Sequence, residues 1–316
     1  MPEITPNQKI EKVKQFGGEY VTVHLVGSTY DEAYTASEKY STEKNAVYVH
    51  PFDDPLIIDG QGTIAKEIYD EISEDIDIVV SPIGGGGLIS GVGLYFKEIN
   101  PSISIIGCEP QGAAGMHDSL QKGELIKLEK IDPFVDGAAV MKVGSLTYTI
   151  CKKVVDQIYI VPEGKVCTTM IELYQNDGII AEPAGALSIA VLDAIKDTIA
   201  GKTVVCILSG GNNDLLRYPD ILERSLIYQG LKHYFIIEFA QKPGQLRAFL
   251  NNALGPTDDI VLFEYTKKTN REKGPALVGI ELKNKSDLAP LIKKMDAIQL
   301  KYRIIESEDI VYNLLI

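Results

Sequence analysis

Four consecutive glycines, Gly84-Gly85-Gly86-Gly87, stand directly after the apolar run Ile76-Asp77-Ile78-Val79-Val80-Ser81-Pro82-Ile83. No other feature narrows the choice of fold as much. A glycine loses more backbone freedom on folding than any other residue, so a run of four is expected only where backbone turns sharply or approaches something closely. The apolar run reads as a strand, a helix follows the glycines, and a further strand reads at Ile103-Ser104-Ile105-Ile106. Strand, helix, strand at this spacing is a βαβ unit, which implies a parallel sheet covered by helices. At the C-terminal edge of such a sheet, backbone N–H groups and the positive end of the following helix converge, which suits an anionic ligand. A tightly packed turn would call for the same glycines with no ligand at all.

Other segments fit the same architecture. Strands are expected at Tyr20–Val26 and Ala46–Val49, separated by a helix from Asp31 to Tyr40 that Ser28 would cap. His50-Pro51-Phe52-Asp53-Asp54-Pro55 reads as a loop, and Asp53 and Asp54 as loop-shaping residues more than as a catalytic carboxylate pair. Gly60-Gln61-Gly62-Thr63 is expected to open a helix that runs to about Ile72. Thr203 to Leu208 is β-branched-rich, as a central parallel strand is, and ends in Ser209-Gly210-Gly211-Asn212-Asn213. Beyond about Leu231 the pattern becomes strand, helix, strand, strand, helix, strand, the ferredoxin-like order, with Pro243-Gly244-Gln245-Leu246 at its first turn. That marks a second, smaller domain, with the boundary near 226–232; 316 residues leave room for about two domains.

Several functions are disfavoured. Forty-four acidic against 31 basic side chains give a net charge of −13, which repels phosphate backbones and argues against nucleic-acid binding. The longest apolar stretches are strand-sized, so no membrane span is expected, and the first residues lack an apolar signal core. Cys108, Cys151, Cys167 and Cys206 show no paired spacing for a zinc site or disulfide framework. His24, His50, His117 and His233 show no metal-ligand spacing. These readings point to a soluble, reduced, cytoplasmic protein. Gly201-Lys202-Thr203 has only the tail of a P-loop, with Lys196 where the first glycine belongs. Gly85, Gly87 and Gly91, with Glu109 ending the next strand, form a loose nicotinamide-dinucleotide fingerprint and stand as a rival reading. Ser209, on a rigid strand end before two glycines, suits a hydrogen bond to a heteroaromatic ring nitrogen. It lacks the G-x-S-x-G context of a hydrolase nucleophile.

Taken together these segments resemble the fold type II family of pyridoxal-phosphate enzymes, the threonine dehydratases most closely. The matching runs are Thr5 to Ile10, Pro51 to Pro55, Gly60 to Thr63, Gly84 to Leu88, Asp136-Gly137, Glu182-Pro183-Ala184-Gly185-Ala186 and Ser209 to Asn213. They stand in family order over residues 1–230, and the remainder is similar to the amino-acid-binding ACT type of regulatory domain. The resemblance implies a three-layer α/β parallel-sheet domain plus a ferredoxin-like α+β regulatory domain. Residues 1–55 would be the remainder of the small subdomain, 56–229 the large cofactor-binding subdomain, and 230–316 the ACT-like domain. It implies pyridoxal 5′-phosphate as cofactor, with its phosphate on Gly84, Gly85, Gly86, Gly87 and Leu88, its pyridine nitrogen on Ser209, and Glu182 near the ring. It further implies L-threonine as substrate, isoleucine or valine as effector, and a homotetramer. Some relatives bind a cation after the Glu-Pro equivalent to Glu109-Pro110, but Gly115 stands where a second acidic ligand would be, so no metal is expected.

One departure is chemical. The family's Schiff-base lysine sits in a Ser-Phe-Lys-x-Arg-Gly motif, followed by a Ser-x-Gly-Asn-His loop, and neither occurs here. The only Phe-Lys pair, Phe96-Lys97, has the wrong neighbours. That lysine is both covalent anchor and proton-transfer base. The resemblance therefore implies an N-terminally truncated enzyme, inactive alone: a piece of a longer chain, a chain with a misassigned start, or one half of a split enzyme that an N-terminal fragment in trans would complete. A non-catalytic amino-acid sensor is the alternative from a different class.

Overall fold

The computed structural model describes residues 1–316 except 4, 6, 29, 267–271, 307–308, 310, 313–314 and 316. Pro6, within the first of the matching runs, thus lies outside the described residues. By contact the chain divides into two compact units, Met1–Arg217 and Tyr218–Ile316.

In the first unit, α1 (Asn7–Gly17), α2 (Tyr30–Lys44) and α3 (Pro55–Glu71) precede β1 (Ile78–Pro82), α4 (Gly87–Ile99) and β2 (Ser104–Pro110). Then come α5 (Gly115–Lys122), α6 (Ser145–Val154), β3 (Gln157–Val161), α7 (Glu163–Asp177), α8 (Pro183–Ala190), α9 (Lys196–Ile199) and β4 (Val204–Cys206). The four strands form one sheet in the order β3-β2-β1-β4, parallel throughout. All of β1 is buried, as befits a central strand with helices around it. Val79, Ile83, Ile89, Val92, Phe96 and Ile105 join β1, α4 and β2 in one apolar cluster.

Two expectations are corrected. Residues 21–27 and 46–50 run without regular structure, although their sequences favour strands. Tyr20 and Val47 are each 90% exposed. Strand propensity reports packing against neighbours, and among the described residues the backbone bonded to 21–27 is that of Met1 and Glu3: Val26 N donates to Met1 O at 2.9 Å and Glu3 N to Gly27 O at 2.7 Å. Secondly, α3 starts at Pro55, ahead of Gly60. The Asp54 side chain accepts from Leu56 N and Ile57 N, and Pro55 at the first helical position has no N–H to satisfy. Gly60 and Gly62 lie inside the helix. Gly62 is there because α3 and α4 touch backbone to backbone: a Cβ on Gly91 would stand 2.2 Å from Ile58 O and 2.6 Å from Gly62 N.

The second unit contains α10 (Tyr218–Tyr228), β5 (Lys232–Ala240), α11 (Gln245–Asn252), β6 (Asp259–Tyr265), β7 (Lys273–Glu281), α12 (Leu288–Ala297) and β8 (Lys301–Ile304). Its sheet is antiparallel in the order β6-β7-β5-β8, the ferredoxin-like arrangement. Alternate residues Phe235, Ile237 and Phe239 of β5 face a core shared with Phe249 of α11 and Leu291 and Met295 of α12. Glu223 of α10 accepts from the Tyr234 hydroxyl at 2.7 Å and ties that helix to β5.

Candidate functional site

The glycine run lies where β1 gives way to α4, at the C-terminal edge of the parallel sheet. The protein's own packing requires glycine at 84, 85 and 86 and leaves little room at 87. A Cβ on Gly84 would meet Ala138 Cα at 2.9 Å, one on Gly85 the Phe52 ring at 2.2 Å, and one on Gly87 Phe52 Cβ at 3.1 Å. Gly86 has φ +95°, in the left-handed region, with Met116 and Thr147 within 3 Å of the missing Cβ. What points to a ligand is instead the N–H groups. The first hydrogen bond of α4 is Ser90 N to Gly86 O at 3.0 Å. Ahead of it, the N–H groups of Gly86, Gly87, Leu88 and Ile89 meet no acceptor among the described residues. Gly86, Gly87 and Ile89 are buried. Buried backbone donors are almost always paired, so a set of them at a helix N-terminus is a site for an anion.

The same loop borders a cavity of about 360 Å³, walled by Phe52, Gln61, the run Gly84–Leu88, Asp136–Val140, Glu182 and Ser209. Among the described residues no lysine is among its walls. The structure therefore brings Gly84, Gly85, Gly86, Gly87, Leu88, Glu182 and Ser209 to one cavity, although they span more than a hundred positions of sequence. The Ser209 loop is fixed by α8: Glu182 N donates to Gly210 O at 3.0 Å, and a Cβ on Gly185 would stand 2.6 Å from Gly210 O. Burial raises the Glu182 carboxyl above the ordinary carboxylate range, with the Asp136 charge adding to it; Lys9, the Asn212 N–H and Arg217 oppose this. Lys9 Nζ is held by Asp136 at 2.6 Å.

Phe52 and Gln61 enter the sequence reading only as members of matching runs, with no role given, and Thr147 not at all. Asp53 and Asp54 do not act as a pair, since Asp54 caps α3 while Asp53 reaches α6. His50 is structural: its Nδ1 accepts from Asp53 N at 2.7 Å and Phe52 N at 3.2 Å. The dinucleotide reading fails on geometry. Glu109 is fully buried and accepts from Met116 N and His117 N, at 2.8 and 2.6 Å, so it is not available to a ribose. Gly91 is committed to the contact between α3 and α4. Burial raises the Cys108, Cys151 and Cys206 thiols, as for inert structural cysteines. Among the described residues, no cluster of three or more His, Cys, Asp or Glu is placed to hold a metal, and no helix is long and apolar enough to cross a membrane.

Buried N–H groups without acceptors at a helix start, the Ser209 hydroxyl beyond β4 and a cavity that both border have the chemistry to take a phosphate ester of an aromatic ring. The residues present fit that group. Residues 1–210 match the family described as pyridoxal-phosphate dependent enzyme, and 223–315 that of the C-terminal regulatory domain of threonine dehydratase. The chain belongs to the pyridoxal-phosphate dependent enzyme family, in its biosynthetic threonine dehydratase branch. It is 52% identical over 316 residues to the biosynthetic L-threonine dehydratase IlvA of Halalkalibacterium halodurans, covering 100% of this chain and 76% of that one. The IlvA of Bacillus subtilis is 49% identical over 316 residues, with 75% of its length covered. Among solved structures, the processed threonine deaminase isoform 2 of Solanum lycopersicum superposes with TM-score 0.67 at 40% identity, over 71% of this chain and 65% of that one. Maize serine racemase superposes with TM-score 0.64 at 32% identity, over 72% and 69%.

Proposed function

We propose that this chain serves the deamination of L-threonine to 2-oxobutanoate and ammonia, holding pyridoxal 5′-phosphate in the cavity beside Gly84–Leu88. The observation that carries the reading is the set of unpaired, mostly buried N–H groups ahead of Ser90, in a chain that matches biosynthetic threonine dehydratases along its whole length. When bound, the cofactor supplies an electron sink for charge developing on the substrate carbon.

The chain's own residues prepare the place for it. The N–H groups of Gly86, Gly87 and Leu88, with the positive end of α4, bind the phosphate. The Ser209 hydroxyl on the cavity wall would serve the pyridine nitrogen as a neutral partner. Glu182 closes the wall near the ring, its carboxyl held above the ordinary carboxylate range by burial. Phe52, packed over Gly85, keeps water from the loop. The 230–316 region takes isoleucine or valine as effector, with Pro243–Leu246 at the turn that meets it, and the working assembly is a cytoplasmic homotetramer.

The anchor lysine is the remaining part. Among the described residues no lysine walls the cavity, and residues 21–27 and 46–50, with strand-like sequences, pair with no strand. We infer that polypeptide outside these 316 residues, continuous with them or in trans, supplies the lysine and pairs with those segments. In its absence the chain acts as a binding protein for cofactor and effector. The test is threonine-dependent formation of 2-oxobutanoate by the 316-residue chain, alone and mixed with a lysine-bearing N-terminal segment. Activity that appears only on mixing supports the reading. Full turnover by the chain alone would refute the external lysine, and no turnover with a bound segment and cofactor would refute the function.

A further inference from the structure

We propose that Asp53 is a positioning residue for the phosphate loop and acts on it through Thr147, an inference that rests on the phosphate site proposed above. The Asp53 carboxylate accepts four hydrogen bonds from the start of α6: Ser145 N at 2.9 Å, Ser145 Oγ at 3.1 Å, Leu146 N at 2.9 Å and Thr147 N at 3.0 Å. A Cβ on Gly144 would stand 2.1 Å from Asp53 Oδ1, so only glycine lets the carboxylate seat there. The helix start so fixed carries Thr147, whose side chain is fully buried. Its hydroxyl donates to Gly85 O at 2.7 Å, closer than its other acceptor, Gly144 O, at 3.2 Å. Gly144 N also reaches Gly85 O, at 3.3 Å.

Both contacts draw the Gly85 carbonyl towards α6. In a trans peptide the carbonyl and the following N–H point in opposite directions, and the described residues contain no cis bond. Fastening Gly85 O to α6 therefore turns the Gly86 N–H away from α6. Gly86 is buried, borders the cavity, and its N–H has no acceptor among the described residues. The loop 50–54 and the phosphate donors are thereby one connected unit, although Asp53 and Thr147 are 94 positions apart. Asparagine at 53 keeps a single acceptor oxygen and loosens the helix start. Valine at 147 keeps the shape and all four bonds to Asp53 but releases Gly85 O.

The experiment measures equilibrium binding of pyridoxine 5′-phosphate and of pyridoxine to the full chain; neither carries an aldehyde, so surface lysines do not react. Asp53→Asn, Thr147→Val and the double variant are compared with the parent, each with its thermal transition. A donor to a charged acceptor that is misdirected weakens binding roughly ten-fold or more. Thr147→Val and Asp53→Asn are expected to weaken pyridoxine 5′-phosphate by that factor and to leave pyridoxine unchanged. The double variant should be no weaker than the worse single one, because the two residues act in series. A folded Thr147→Val that binds the phosphate ester as the parent does, or loses both ligands alike, overturns the proposal. A parent chain that binds the two ligands equally overturns the phosphate site itself, and this inference with it.

Discussion

Replacing Gly91 with alanine puts the contact between α3 and α4 to a quantitative test. The added Cβ would lie 2.2 Å from Ile58 O, 2.6 Å from Gly62 N and 3.0 Å from Gln61 C, all backbone of α3. No rotamer change relieves a clash with backbone, so α3 has to retreat by about 1 Å, the kind of shift that costs roughly 1–3 kcal/mol in a packed interior. Alanine's better helix propensity offsets at most about 1 kcal/mol of this. With a net loss near 2 kcal/mol, the thermal midpoint of a unit this size should fall by about 4–8 °C. Gly60 provides the control. It lies in the same helix pair, a Cβ there meets nothing within 4 Å, and Gly60→Ala should gain about 0.5–1 kcal/mol. Differential scanning calorimetry of the two variants reads both signs. If Gly91→Ala raised the midpoint as Gly60→Ala does, the close approach of the two helices would be refuted.

Three other outcomes are expected. Burial pushes the Glu109 carboxyl up to about 8 from the ordinary 4.5, so the folded chain holds a proton that the unfolded chain releases. Its contribution is complete below about pH 4.5 and declines by about 1.4 kcal/mol per pH unit towards pH 8; urea melts of Glu109→Gln against the parent should show that slope vanish, and parallel profiles would contradict it. Asp54→Ala, which removes the cap on Leu56 N and Ile57 N, should cost about 1 kcal/mol, with Asp54→Ser recovering most of it on thermal melting. In thiol titration under native conditions Cys206, partly exposed, should react ahead of the buried Cys108, Cys151 and Cys167. A buried thiol reacting first would contradict the packing of the parallel sheet.

The parts legible in sequence are those whose signal is local. In the regulatory unit β-branched and aromatic runs set off by turn signals such as Pro243-Gly244 make every strand of its order legible. The start of α3 was misplaced at Gly60, because two glycines suggest a turn whereas the Asp54 cap and Pro55 begin the helix earlier. Strand β3 was not read. It is an edge strand with a half-exposed pattern, Gln157 to Val161, that gives little periodicity. At Tyr20–Val26 and Ala46–Val49 local propensity promised strands, but pairing requires a neighbour. The glycine run carries two signals in sequence, N–H groups that can converge on an anion and a turn that needs glycine for packing, and the second is the one visible as contacts: Phe52, Ala138, Met116 and Thr147 occupy the space beside those Cα atoms. Contacts such as Asp53 to Thr147 join distant segments and leave no periodic trace in the chain.

Hydrogen–deuterium exchange of the full chain, saturated with pyridoxine 5′-phosphate or with pyridoxine, tests most directly whether the start of α4 holds a cofactor phosphate. The account predicts slowed exchange at the amides of Gly86 to Ile89 with the phosphate ester and no change there with pyridoxine. Protection confined to other segments, or equal protection by both ligands, would contradict it.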